Sequence, residues 1–283
     1  MIEVLAPAKI NLFLRVCGQN DVGLHLLDSL VVFTEFGDQL TIEPANEDLF
    51  TLVGDFAGII KANTKNNLVV RALNAFRDAG GAFGQSHITL NKKIPIGAGL
   101  GGGSTDAAAL LRALNKHSPK PLEEKQLYDI AVTLGADVPV CLAGGCQRIS
   151  NIGEILTPHA LPEIGAVLLV NPRIPISTGD VFNNFTGPVS GYAGSLDMLD
   201  ITNLVGLGND LTTTAITLVP EVGLCLDRLM AADGIITASM SGSGGSCFAF
   251  FVNRTKANEA EHHLKTAGFW THVSRIHYPQ KST

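Results

Sequence analysis

The chain has 283 residues, 46% of them hydrophobic and 16% charged, with a formal net charge of -6. That is enough apolar material for one large or two ordinary domains, and too little positive charge for a long surface that binds a nucleic acid polymer. The five cysteines, at 17, 141, 146, 225 and 247, form no CxxC pair, which argues for reduced thiols rather than a disulfide framework or a zinc site. Residues 8–16 and 28–36 are apolar and separated by the turn-like Gly18-Gln19-Asn20-Asp21-Val22-Gly23, so they read as early strands. Short extended pieces follow at 41–44 and 50–53. Residues 67–76 have helical periodicity through Leu68, Ala72, Leu73 and Phe76, ended by Gly80-Gly81. A strand at 87–90 leads into a glycine-rich loop and a helix whose Leu110, Leu111 and Leu114 share one face, and a second helix runs from about 122 to 134.

Turn residues collect between Gly144 and Pro162, so the chain is expected to divide into residues 1–155 and 156–283. Beyond the division, 165–170 reads as a buried strand and 171–194 as a long polar loop suited to a substrate. A helix over 222–231, a strand over 235–238, a strand over 247–252, a helix over 257–267 and a strand over 273–277 make a small helix-backed antiparallel sheet. Strands grouped ahead of helices give the α+β class. The N-terminus lacks a signal-peptide pattern and no apolar run reaches membrane-spanning length, which leads to the expectation of a cytoplasmic protein with no membrane partner.

The loop Pro95-Ile96-Gly97-Ala98-Gly99-Leu100-Gly101-Gly102-Gly103-Ser104-Thr105-Asp106 runs directly into a helix. Glycine permits tight turns and close backbone approach, and the first-turn amides of a helix attract phosphate. Ser104, Thr105 or Asp106 is expected to cap the helix. A Walker A loop needs Gly-Lys-Ser/Thr, which is absent; the dinucleotide pattern matches formally at Gly97, Gly99 and Gly102, but Asn91 to Ile96 intervene between strand and loop. A second loop, Met240-Ser241-Gly242-Ser243-Gly244-Gly245-Ser246, precedes the strand at 247. Lys9 is the only charge in Leu5 to Phe13, either snorkelling or paired with a buried anion. Asp137 follows a helix end and precedes Val138-Pro139, where a turn or cap role competes with a chemical one. Together these supply phosphate positioning, charge stabilisation and a group for the acceptor hydroxyl, the requirements of phosphoryl transfer. The protein-kinase motifs, a nucleophile elbow and an HExxH frame are all missing.

Residues 95–108 resemble the central phosphate loop of the GHMP small-molecule kinases, Ala6-Pro7-Ala8-Lys9-Ile10-Asn11-Leu12 resembles their first motif, and 240–248 resembles their third. Within the family, Gly135-Ala136-Asp137-Val138-Pro139, Gly208-Asn209-Asp210-Leu211 and His25 are similar to the bacterial kinases of the non-mevalonate route to isoprenoid precursors. The resemblance implies a two-domain fold, S5-like at the N-terminus and ferredoxin-like at the C-terminus. It further implies transfer of the γ-phosphoryl group of ATP to the 2-hydroxyl of a methylerythritol carrying cytidine diphosphate. Asp137 would orient or deprotonate that hydroxyl, and Lys9 would keep the aspartate ionised and stabilise charge at the hydroxyl.

Carried over in the same way, Pro95, Gly97, Gly99, Leu100, Gly101, Gly102, Gly103, Ser104 and Thr105 would wrap the phosphates, with Ser104 or Thr105 near Mg2+. Asn67, Leu68 and Lys92 would lie at the adenosine end. Asn11 would touch the methylerythritol, and His25, Thr178 and Phe182 would serve the substrate, with His25 on the cytosine and Phe182 against its ring. Gly242, Ser243 and Gly244 would close over the reacting groups. A monomer or weak homodimer is expected. The family usually has Tyr where this chain has Leu24, so an aromatic face is missing; Leu24 is expected to keep apolar contact, with compensation from Phe185.

Overall fold

The computed structural model describes residues 1–60, 66–161, 164–197 and 199–278. These form two compact units, each assembled from several stretches of chain. One comprises Met1–Ala8, Gly37–Ile96 and Gly101–Ala143; the other comprises Lys9–Phe36, Gly97–Leu100 and Gly144–Thr283. Two long strands, β1 (Ile2–Gln19) and β2 (His25–Pro44), run through both.

In the first unit the last residues of β2 pair antiparallel with β4 (Ser86–Asn91), and β4 pairs parallel with β3 (Leu49–Val53). Leu40 lies opposite Leu90 and Ile42 opposite Ile88, all four buried, as the two-residue period of a one-faced sheet requires. After the short α1 (Ala57–Ile60) come α2 (Leu68–Asp78), α3 (Gly102–His117), α4 (Glu124–Leu134) and α5 (Val138–Ala143). Helix α3 packs against the other three of these helices. Its Ala107, Ala108 and Ala109 are fully buried, and their small side chains let neighbouring helices approach closely. Asn67 caps α2, its Oδ1 accepting from the Val69 amide at 2.9 Å.

In the second unit β5 (Gln147–Asn151) pairs with Leu27–Val31 of β2 and, as a hairpin, with β6 (Ile155–Pro158). The turn-rich segment after Gly144 is therefore strand structure. Beyond it lie β7 (Ala166–Asn171), α6 (Thr178–Asn183), α7 (Ile201–Gly206), α8 (Thr212–Leu218), α9 (Glu221–Met230), β8 (Ile235–Met240), β9 (Cys247–Phe251), α10 (Arg254–Thr266) and β10 (Trp270–Ser274). The four strands of this group form an antiparallel sheet in the order β10-β7-β9-β8, with α9 and α10 packed on it. That order, with a helix in each crossover, is the ferredoxin-like arrangement the resemblance implies. Leu168, Val170, Ala249 and Phe251 of the sheet meet Val222, Cys225, Leu229, Ala257 and Leu264 of the helices in one core. The last strand begins three residues earlier than expected, because Trp270 to Ser274 pair with Asn171 to Val167 of β7.

Candidate active site

Within the second unit the two glycine loops touch each other. A Cβ on Gly99 would run into Ser241 O and lie 2.7 Å from Gly244 O; one on Gly242 would lie 2.8 Å from Gly99 O, and one on Gly245 2.8 Å from Gly97 O. All five glycines have positive φ, between 60° and 112°. Close backbone contact thus accounts for these positions before any ligand is considered. Ser241 Oγ donates to Gly99 O at 3.0 Å and accepts from the Asn11 amide at 3.2 Å, while the Lys9 amide donates to Leu100 O at 2.9 Å. Strand β1 and both loops form one bracket. Asn209 braces it from the far side, its Nδ2 donating to Met240 O at 3.0 Å and Gly242 O at 2.8 Å.

Lys9 and Asn11 are two residues apart on β1 and both buried, so their side chains leave the same face of the strand. Asn11 Nδ2 donates to Ser29 Oγ at 2.8 Å, and Ser29 in turn donates its hydroxyl proton to Phe13 O. The serine proton is committed, so the amide cannot be flipped, and Asn11 Oδ1 is left buried with no hydrogen-bond partner. A substrate hydroxyl would satisfy it. Nearby in chain order, the His25 ring lies 5.2 Å from the Phe182 ring and 6.0 Å from the Phe185 ring, with Gln19 Nε2 at 3.0 Å from His25 Nε2. This is an aromatic corner with a polar edge, suited to a planar heterocycle. Leu24 is 51% exposed in the turn, where its amide donates to Asn20 Oδ1 at 2.9 Å. Thr178 Oγ1 and Ser243 Oγ are 2.8 Å apart, joining the start of α6 to the second glycine loop.

In the first unit α3 begins at Gly102 with Gly101 in the left-handed conformation (φ 66°), and no side chain caps it. The expected cap is absent because Ser104, Thr105 and Asp106 all lie inside the helix. Thr105 turns its hydroxyl to Gly102 O at 2.9 Å, and Asp106 is engaged elsewhere. The first-turn amides therefore face outward without a side-chain acceptor, and half-buried Ser104 stands among them. Leu68 lies beside Gly103, where a Cβ would be 3.5 Å from Leu68 Cδ1, so the start of α2 adjoins the start of α3. Asp137 is half-buried directly ahead of α5, and its carbonyl accepts from the Cys141 amide at 3.1 Å. The apolar run 138–143 is a helix, buried over its first four residues, that fixes the aspartate's backbone.

Lys92, expected beside adenosine, points inward, with its ammonium held by Asp38 and by Asp106 Oδ2 at 2.7 Å. Asp38 Oδ1 also accepts from the amides of Lys93 (2.5 Å) and Ile94 (2.8 Å). Burial is the main force raising the Asp106 pKa; Lys92 opposes it, the charge and hydrogen bond of Asp38 reinforce it, and the result is about 7. Burial pulls the Lys92 ammonium down, but Asp106 and Asp38 together carry it above its ordinary value. Asp38 and Asp106 gave no functional signal in sequence.

The GHMP kinases N terminal domain family matches residues 67–145, and the GHMP kinases C terminal family matches 196–269. The chain is 39% identical over 267 residues to a 4-diphosphocytidyl-2-C-methyl-D-erythritol kinase of Chelativorans sp. (strain BNC1), covering 92% of this chain and 90% of that one. It is 41% identical to the enzyme of the same name from Rhizobium etli (strain CIAT 652), covering 90% and 87%. Among solved structures, a 4-(cytidine 5'-diphospho)-2C-methyl-D-erythritol kinase superposes with a TM-score of 0.79 at 31% identity, covering 97% of this chain and 99% of the other. A homoserine kinase from Cytophaga hutchinsonii, at 20% identity and a TM-score of 0.70, shares the fold.

Proposed function

We infer the work of each site residue from one premise: the chain belongs to the GHMP kinases, in their 4-diphosphocytidyl-2-C-methyl-D-erythritol kinase branch. It transfers the γ-phosphoryl group of ATP to the 2-hydroxyl of 4-diphosphocytidyl-2-C-methyl-D-erythritol, giving the 2-phosphate and ADP, in the non-mevalonate route to isoprenoid precursors. In the transfer the hydroxyl oxygen forms a bond to Pγ, the bond from Pγ to the β,γ-bridging oxygen breaks, and the hydroxyl proton must leave. Asp137 orients that hydroxyl and receives its proton. Lys9 supplies positive charge to the oxygen as it becomes the nucleophile, and Asn11 Oδ1 accepts from a hydroxyl of the methylerythritol. His25 hydrogen-bonds the cytosine edge while Phe182 and Phe185 hold its ring.

For the nucleotide, the uncapped start of α3 is the observation that carries the reading: its amides and dipole face a phosphate with no internal rival. Gly101, Gly102, Gly103 and Ser104 line that end. Mg2+ enters with ATP in this proposal. Ser104 fits it through an unengaged, half-buried hydroxyl, whereas the Thr105 hydroxyl is buried on Gly102 O. Among the described residues no cluster of three or more His, Cys, Asp or Glu could hold a metal by itself, so the phosphates would provide most of its ligands. When bound, the ion neutralises charge on the transferring phosphoryl group. Pro95 and the Gly97–Leu100 segment shape the loop, and the second glycine loop, with Gly242, Ser243 and Gly244, supports it. Asn67 keeps its amide NH2 available at the start of α2 for the adenosine end.

ADP release from ATP with the cytidine diphosphate substrate tests this directly. Asp137→Ala should lower kcat by about 10²–10⁴, the range for losing a positioned acid or base, with substrate KM little changed. Wild-type turnover that survives intact in Asp137→Ala would remove the aspartate from the chemistry.

A further inference from the structure

We propose that Asp106 is a positioning residue which, through Lys92 and Asp38, staples the entry of the phosphate loop to its exit and so sets the loop's grip on nucleotide phosphate. The proposal rests on the reading of that loop as the ATP site and deepens it. Residues 92–94 lead into the loop and α3 leads out. Asp38 binds the entry with both oxygens, one on the Lys93 and Ile94 amides and the other on the Lys92 ammonium. The same ammonium reaches forward to Asp106 on the second turn of α3. The staple thus closes a stretch of chain whose middle is almost all glycine and has little stiffness of its own. Gly102 lets it lie directly against the helix start: a Cβ there would sit 3.3 Å from Lys92 Nζ and 3.5 Å from Asp38 Oδ2. In this reading Lys92 acts on the nucleotide through the loop, not by touching it.

The staple is buried: two carboxylates share one ammonium, and Lys92 is 4%, Asp38 0% and Asp106 3% exposed. Among the described residues, the other charged groups on the elements packed on α3 are engaged elsewhere or exposed. On α2, Arg71 donates to Thr133 O, Arg77 pairs with Asp48, and Asp78 is exposed. On α4, Lys125 pairs with Asp129 and Glu124 is exposed; α5 carries no charge, and the only other charged side chain near mid-helix on α3, Arg112, donates to Cys141 O and Leu142 O. Glu43 on β2 is exposed, and His87 on β4 is bonded to Thr51.

Two measurements on the full-length protein test it. The first is hydrogen exchange of the bonded amides at the loop's two ends, Lys93 and Ile94 on Asp38 and Thr105 on Gly101 O, without substrate, in wild type, Asp106→Asn and Asp106→Ala. Asp106→Ala should lose protection about tenfold or more, and Asp106→Asn, whose amide oxygen still accepts from Lys92, should keep it. The second is KM and kcat at one pH. Asp106→Ala should raise KM for ATP severalfold with kcat and KM for the cytidine substrate little changed, and Asp106→Asn should restore KM for ATP. Unchanged exchange in Asp106→Ala, or an unchanged KM for ATP in it, overturns the proposal. Failure of the kinase reading would show instead as wild-type protein that releases no ADP, while the exchange measurement would still report on the staple.

Discussion

At the scale of single residues, the site was legible where one side chain breaks the pattern around it. Lys9 and Asn11 are polar in an apolar strand, and His25 and Phe182 meet in space across a long sequence separation. The cluster of Asp38, Lys92 and Asp106 was not legible, because its members lie 54 and 14 positions apart and only the fold shows that two carboxylates share one ammonium. Phe182→Ala should raise KM for the cytidine substrate about fivefold with little change in kcat, since an aromatic contact of about 1 kcal/mol is lost from ground and transition state alike. An unchanged KM would remove Phe182 from the base pocket. Asp106 also gives a stability prediction. Its folded pKa, raised from 3.8 to about 7, means the native state keeps a proton that the unfolded chain releases. Its contribution therefore favours folding at low pH and is lost as pH rises from about 4 through 7. Thermal melts of wild type and Asp106→Asn should diverge across that window, the variant gaining relative stability as pH increases; parallel curves would contradict the assignment.

At the scale of elements, the long periodic segments were readable and the short ones were not. Helices α2, α3, α4, α9 and α10 follow their apolar spacing, whereas α6, α7 and α8 have only six or seven residues, too few for a period to show. The β5–β6 hairpin was hidden because only Ile149 of β5 is buried, leaving no alternation to read. The glycines had more than one cause. Gly101 starts a helix in the left-handed conformation, whereas Gly99, Gly242 and Gly245 are needed because two backbone loops press together. Gly99→Ala should therefore cost about 1–3 kcal/mol in backbone strain alone, with a further cost from displacing the 241–244 backbone, and should raise KM for ATP. A variant with wild-type melting temperature and KM would mean the loops are free to separate. Lys92→Met leaves two buried carboxylates unpaired, a change that costs about 3–5 kcal/mol near neutral pH. A melting temperature equal to that of the wild type would contradict it.

At the scale of the whole molecule, the chain divides into interleaved compact units, and no linear reading of turn residues could reveal that Lys9–Phe36 and Gly97–Leu100 cluster with the C-terminal half. A functional division at residues 1–155 and 156–283 remains part of the proposal. Family and reaction are secured by similarity over nearly the full length of relatives that act on one cytidine-linked substrate. Among the described residues no helix is long and apolar enough to cross a membrane. The central claim is that this chain places a phosphoryl group on the 2-hydroxyl of that substrate. Phosphorus NMR of the protein with ATP, Mg2+ and 4-diphosphocytidyl-2-C-methyl-D-erythritol tests it most directly. The account predicts a new phosphomonoester resonance that grows in step with ADP while the cytidine diphosphate resonances persist. ATP consumed with no new monoester, or no consumption at all, would contradict it.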